Sequence, residues 1–484
     1  MLRSLEDRII GEMTDHERAV VRHGAAWFFL VLFSYYILRP IREQISATYG
    51  IKNLEWLFMA TFGVMLIAIP LFAFLVGRFH RRKLVPCIYG FFCLCLVGFW
   101  FAFAFTPPDE PAPKDTVAAS ASEAPTTLDS ARDGADATAA GSEIPPEGGT
   151  TNNRATAREW IARGLFIWIS VYGLFIVSFF WSVMGDLVST EQGRRLFGFV
   201  FGAGTAGGMV ASAVTGGLVE RMGQANLLIL PGVALVMALA VYFSLERSHR
   251  KLQPDSDASS SGRATGGNPF AGFIAVFSSK YLFAIGVYGL LLATCGTTIY
   301  FQQSEIVGAA FKTDEAKTAF FASVNLWVQV VSIILQTVVV GRLMKHLGLG
   351  LTLAILPLCY VLGITSLAVE PTIAVLAVIS VTGRSAEYAI ANPAREVLYA
   401  AVKREDRYKA KSFIDTIVRR GGDTFVGSAY RSLRQSLGVA MTTLSWLVLP
   451  IAIVWMGLAI FIGHENKKVA QANEEPATPD STSD

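Results

Sequence analysis

Apolar runs free of Asp, Glu, Lys, Arg and His recur along the chain at 56–77, 84–108, 164–185, 196–219, 222–245, 281–304, 319–341, 347–369 and 435–463. A hydrocarbon core about 30 Å thick is crossed by roughly 20 helical residues, so each run is long enough to span a bilayer. In lipid every backbone N–H and C=O must be satisfied within the protein, and segments of this length do so as helices rather than barrel strands. Three further apolar stretches, at about 24–46, 372–392 and 411–433, are interrupted by charge. The pattern predicts an all-α membrane protein of about twelve transmembrane helices.

Composition agrees: 52% of the residues are hydrophobic and 16% charged, whereas soluble domains carry roughly 25% charged residues. Mean hydropathy is +0.46. With a cytoplasmic N-terminus, the short inner loops hold eighteen Lys and Arg, among them Arg78, Arg81, Arg82 and Lys83, against six in the outer loops. That asymmetry predicts a multi-pass protein of a bacterial-type inner (plasma) membrane with both termini cytoplasmic. The net charge of +3 is mostly this bias and gives no reason to expect nucleic acid as a partner. Residues 1–23 carry both signs and no cleavage site, so the first span itself is expected to direct insertion. All five cysteines fall inside expected spans, which gives no sign of a disulfide framework or metal site.

Residues 106–160 are rich in Pro, Ala, Ser, Thr and acids and are expected to be a disordered external loop. Residues 246–272 read as a cytoplasmic linker and 464–484 as a disordered cytoplasmic tail. The chain then divides into an N-terminal six-helix half, 1–245, and a C-terminal six-helix half, 273–463. An internal repeat supports the division: GRFHRRK closes span 2 and GRLMKH closes span 8. A 6+6 parallel repeat with both ends inside resembles the layout of the major facilitator superfamily.

An ionisable residue deep in a span is costly, about 2.5–3.5 kcal/mol on insertion scales, and needs a partner or a wet cavity. Spans 1, 10 and 11 carry such residues. Span 1 reads SYYILRPIREQ, with Arg39 and Arg42 three residues apart and Glu43 one turn beyond Arg39. Pro40 lies between them and is expected to kink the span. Span 10 holds Arg384 and Glu387. Span 11 holds Asp415, Arg419 and Asp423 at four-residue spacing, with Arg420 alongside. Span 8 adds a stripe of Asn325, Gln329, Ser332 and Gln336. These groups are candidate substrate contacts, because guanidinium forks suit an anionic cargo. The alternative is that they are ion pairs and hydrogen bonds holding helices together.

In span 7, Thr294, Thr297 and Thr298 precede Gln302 and Gln303, and could contact cargo or bond their own helix. The formal GxGxxG at 202–207 lacks a preceding strand and is read as close helix packing through Gly198/Gly202 and Gly204/Gly208. The chain holds no HExxH, GxxxxGK[ST] or GxSxG, so no enzyme activity, metal or cofactor is expected.

The segments LRPIRE in span 1, FWSVMGD followed by EQGRRLFGFVFGAGTAGG across spans 4 and 5, and KSFIDTIVRRGGD in span 11 resemble the ATP/ADP translocase family of plastids and intracellular bacteria. The resemblance covers nearly all the spans. It implies a cationic substrate residue at Arg42, followed by the acid Glu43, with Lys411, Asp415 and Arg420 also matching. Pro40 replaces the first acid of the family's ILRDTKD pattern. A family glutamate in span 4 falls near Ile169 and Ser170, and a family lysine in span 11 falls near Asp423. The implied function is secondary transport of an anionic solute by alternating access, with a nucleotide as cargo and ATP/ADP-type exchange. The alternatives are another organic or phosphate-bearing anion, or a membrane scaffold or sensor that transports nothing. The expected partners are the anionic solute and lipid.

The topology has a direct check. A cysteine at Ser130 should react with an impermeant thiol reagent from outside, and one at Ser259 only after permeabilisation; labelling of both from one side would contradict the twelve-span arrangement.

Overall fold

The computed structural model describes residues 13–106, 157–188, 190–252, 269–402, 410–411 and 413–474. The proposed external loop therefore lies almost wholly outside the described residues. The chain opens with α1 (Asp15–Gly50) and α2 (Asn53–Arg78), followed by α3 (Arg81–Phe105), α4 (Ala157–Leu187), α5 (Thr190–Leu227) and α6 (Ile229–Leu252). Next come α7 (Pro269–Ser278), α8 (Lys280–Ala310), α9 (Asp314–Ile334) and α10 (Val340–Val369). The series closes with α11 (Ile373–Ala386), α12 (Asn392–Ala400), α13 (Arg419–Arg431) and α14 (Met441–Glu474). Single π-helical turns join α9 to α10 (Leu335–Val339) and α11 to α12 (Glu387–Ala391), and flank α13 (Ile414–Val418 and Ser432–Ser436).

Local chemistry sets the helix ends. Thr14 and Glu17 form a reciprocal capping box at the start of α1. Ser279, Thr313 and Thr372 each accept a backbone N–H at the starts of α8, α9 and α11. Gly50, at φ 72°, separates α1 from α2, and Gly348, at φ 73°, interrupts α10; such backbone suits glycine because it has no Cβ. Pro40 lies within α1, yet the residue with non-helical dihedrals there is Gly50.

Among the described residues, ten helices are long and apolar enough to cross a membrane. The number differs from twelve for two reasons. Residues 314–369 count as one span despite the break at Gly348, and the charged segment around α13 falls short in hydropathy. The expected linker and tail also contract. α6 continues to Leu252, α7 occupies part of 246–272, and α14 continues to Glu474, so 464–474 is helical rather than disordered.

The chain is an all-α multi-pass membrane protein. Its buried apolar side chains gather into two large groups. One is drawn mostly from α1–α6 around Trp27, Tyr89, Phe166, Tyr172 and Phe180. The other is drawn mostly from α7–α14 around Tyr288, Tyr360 and Trp455. Outward positions are apolar too, Ile67 and Leu94 being more than two-thirds exposed, as a lipid-facing surface requires.

Glycines let α5 pack tightly on α1, as expected for Gly204 and Gly208. A Cβ at Gly204 would strike Phe28 and Leu32, and one at Gly208 would meet Tyr36 and Gln329. The expectation is corrected for Gly198 and Gly202, which face open space, whereas Gly207 lies directly against the Phe29 carbonyl. Backbone cannot move aside as a side chain can. Gly207→Val should therefore lower thermal stability by about 1–3 kcal/mol, while Gly198→Val should leave it unchanged; equal melting temperatures for the two variants would contradict this packing.

Candidate functional site

Residues from both groups of helices meet around the middle of α1. Glu43 is 2% exposed and is the hub. Its Oε1 lies 3.4 Å from Arg39 Nε on the same helix and 3.0 Å from Arg384 Nη1 on α11. Its Oε2 accepts from Asn325 Nδ2 of α9 at 3.3 Å. Arg384 further donates to Asn325 Oδ1 and to Gln303 Oε1 of α8, each at 3.2 Å. Arg39 reaches across to the Tyr388 hydroxyl at 2.8 Å and back to Tyr36 at 3.4 Å. Gln329 lies beside Tyr36 and Gly208. One carboxylate thus ties α1 to α9 and α11, and through Arg384 the network reaches α8.

The remaining candidates sort differently. Arg384 and Glu387, three residues apart, are not partners: Arg384 binds Glu43, and Glu387 accepts from Arg419 at 3.3 Å. Asp423 accepts from the Thr297 hydroxyl at 2.9 Å. Thr294 and Thr298 bond back to their own helix. Asp415 stands apart from the Glu43 hub, held by Arg395 at 2.6 Å, and Lys411 pairs with Glu396 at 2.5 Å.

Arg42 and Arg420 are the exceptions. Among the described residues, neither has a carboxylate within 4 Å or a hydrogen bond from its guanidinium. Arg42 lies over the Phe166 ring, 4.2 Å from its centroid, and its Nε is buried without a partner. Arg420 is exposed, yet its electrostatic neighbours are Asp423, Arg42, Arg419 and Tyr35. It therefore faces α1 across the interior rather than lipid.

From this level the bonds between the two helix groups continue toward one end of the helices. Ser304 donates to Ser46 at 3.0 Å. Thr48 binds Asp314 at 2.6 Å and Lys317 at 3.0 Å. Gln224 binds Thr318 at 2.8 Å, and Arg431 pairs with Glu55. At the opposite ends, Arg81–Asp186, Arg82–Glu246, Arg395–Asp415 and Lys411–Glu396 each join helices of a single group.

Sequence reasoning noted Gln303 in span 7 without connecting it to Arg384, and it missed Tyr388, Tyr36 and the contacts of Thr48. Tyr388 adjoins Glu387 and could have been found by that adjacency. Thr48 carries no charge, and no periodic signal marked it.

No protein-family model matches the chain, and no curated relative does. Solved structures do resemble it. A peptide transporter POT, in a mutant form, gives a TM-score of 0.56 at 13% identity, covering 93% of this chain and 95% of that one. The nucleoside transporter NupG, also as a mutant, gives 0.54 at 10% identity over 94% and 100%. A bacterial homologue of the iron transporter ferroportin, in an inward-facing state, gives 0.54 at 14% identity over 96% and 99%. At these identities the likeness is one of fold, and the fold is major facilitator-like.

The Glu43 hub is testable through stability. Glu43→Gln removes the shared carboxylate and leaves Arg39 and Arg384 unpaired, which should cost about 3–5 kcal/mol. Adding Arg384→Gln should recover part of that loss. Additive losses in the double variant would show that the two residues are not coupled.

Proposed function

We propose that this protein is a secondary transporter of an anionic solute, with a nucleotide as the best-supported cargo. The observation that carries the reading is the pair Arg42 and Arg420. Charge is retained inside a membrane protein where it pairs or where it faces a wet path. Arg42 had two acidic candidates for a structural partner, Glu387 and Asp415, and both are occupied by other arginines, Arg419 and Arg395. Two guanidinium groups, from α1 and from α13, are left near one another without an ion-pair partner within 4 Å among the described residues, Asp423 being the acid that Arg420 feels most. A phosphate or carboxylate group entering there would accept from both forks. Arg39, Glu43, Arg384, Glu387, Asn325, Gln329, Arg419 and Asp423 line or brace this centre in our reading, and Asp415 supports it from the Arg395 side.

The nucleotide assignment rests on the resemblance of LRPIRE and KSFIDTIVRRGGD to the translocase pattern, and the solved transporters of the same fold support transport as the class of activity. Tyr35, Tyr36, Phe166 and Tyr388 supply aromatic surface beside the arginines. We place both termini in the cytoplasm, on the strength of the basic inner loops, and divide the chain into halves at 246–272. In this reading the cross-group contacts Glu43–Arg384, Ser46–Ser304, Thr48–Asp314 and Glu55–Arg431 close the outer side, as in the inward-open stage of an alternating-access cycle.

A ligand that binds the native state raises its melting temperature. Purified protein screened against nucleotides, phosphate esters and organic acids should be stabilised by nucleotides, by about 2.7 kcal/mol at a hundredfold excess over Kd. Arg420→Gln should abolish that shift. Stabilisation by a phosphate ester or organic acid alone would reassign the cargo, and no stabilisation by any anion, together with no uptake into proteoliposomes, would favour a scaffold that transports nothing.

A further inference from the structure

Beside Arg384, on the side of the C-terminal helices, lies a pocket that the arginine pair does not account for. It is lined by residues of α8, α10 and α11, including Tyr300, Gln303, Tyr360, Ser380 and Arg384, and its volume is about 60 Å³. Gln303 is 2% exposed. Its Oε1 accepts from Arg384 Nη2 at 3.2 Å and from Ser380 Oγ at 3.4 Å. Two donors on the oxygen set the orientation of the amide, so the NH2 group must lie on the other side. That Nε2 has no partner, and neither does the buried hydroxyl of Tyr300. Buried polar groups are almost always satisfied, and each exception needs an explanation.

The unmatched groups share a chemistry. Gln303 Nε2 can only donate, Tyr300 can donate, and Arg384 has further N–H groups beyond those bound to Glu43, Asn325 and Gln303. Donors converging on one space suit an acceptor. Among the residues that line the pocket, Arg384 is the charged one.

We infer that this pocket is a second anion subsite, taking a small singly charged acceptor of halide or carboxylate size between Gln303, Tyr300 and Arg384. It is separate from the Arg42/Arg420 pair, so either assignment can fail without the other. The ion would be a free halide or the carboxylate of a larger molecule, and two probes distinguish these.

The experiment measures the melting temperature of the purified full-length protein while bromide or formate replaces gluconate at constant ionic strength. Gluconate serves as the bulky reference anion. A saturable rise with bromide assigns a free halide, and one with formate assigns a carboxylate. In Gln303→Leu the apparent affinity should fall about tenfold or more, while Arg42→Gln should leave it unchanged. No saturable rise with either ion would overturn the proposal, as would a rise that survives Gln303→Leu or disappears in Arg42→Gln. If Gln303→Leu does not fold, anomalous diffraction from bromide in wild-type crystals decides the matter. A peak within hydrogen-bond reach of Gln303 Nε2 and Tyr300 supports the subsite, and its absence there overturns it.

Discussion

Charge held away from water sets the terms for the rest of this molecule. A carboxylate or guanidinium in the hydrocarbon region is stable only with a partner or with access to water. Glu43 satisfies the first condition three times over, with Arg39, Arg384 and Asn325. The same bonds join α1 to α9 and α11, so the group that is most expensive to bury also fixes how the two sets of helices meet. Toward one end, the neutral and ionic contacts of Ser46, Thr48, Asp314 and Glu55 extend that junction. Each of them links the two sets of helices, so opening that end requires all of them to separate together.

The positive groups exceed the negative ones where the helices converge. Arg419 is matched by Glu387, Arg395 by Asp415 and Arg384 by Glu43, and Arg42 and Arg420 remain. A purely structural network would be expected to balance, because an unmatched buried charge destabilises the fold with nothing to offset it. An imbalance at the junction of two helix groups is what a site for a mobile anion requires. Arg42 resting on the Phe166 ring keeps its guanidinium oriented and partly desolvated, which favours a ligand that brings its own charge.

The spans were legible in the sequence because lipid imposes a coarse rule on length and apolarity. The identity of the charged residues was legible for the same reason. Their pairing was not. Four-residue spacing put Asp415, Arg419 and Asp423 on one helical face, but a π-helical turn over Ile414–Val418 intervenes, and the three side chains meet Arg395, Glu387 and Thr297 respectively. A second π turn begins at Glu387, just after Arg384, and those two residues likewise diverge. Such turns leave little trace in composition, and they occur often at functional sites. Neutral partners were legible where helical spacing marked them, as for Asn325 and Gln329, and a lone Thr48 had no such mark.

The central claim is that Arg42 is held for an anion rather than for the fold. The most direct test measures melting temperature and nucleotide binding together for Arg42→Gln. The account predicts an unchanged melting temperature with binding lost, since no carboxylate is left stranded. A large loss of stability, recovered when Glu387→Gln or Asp415→Asn is added, would show that Arg42 serves as an ion-pair partner and would contradict it.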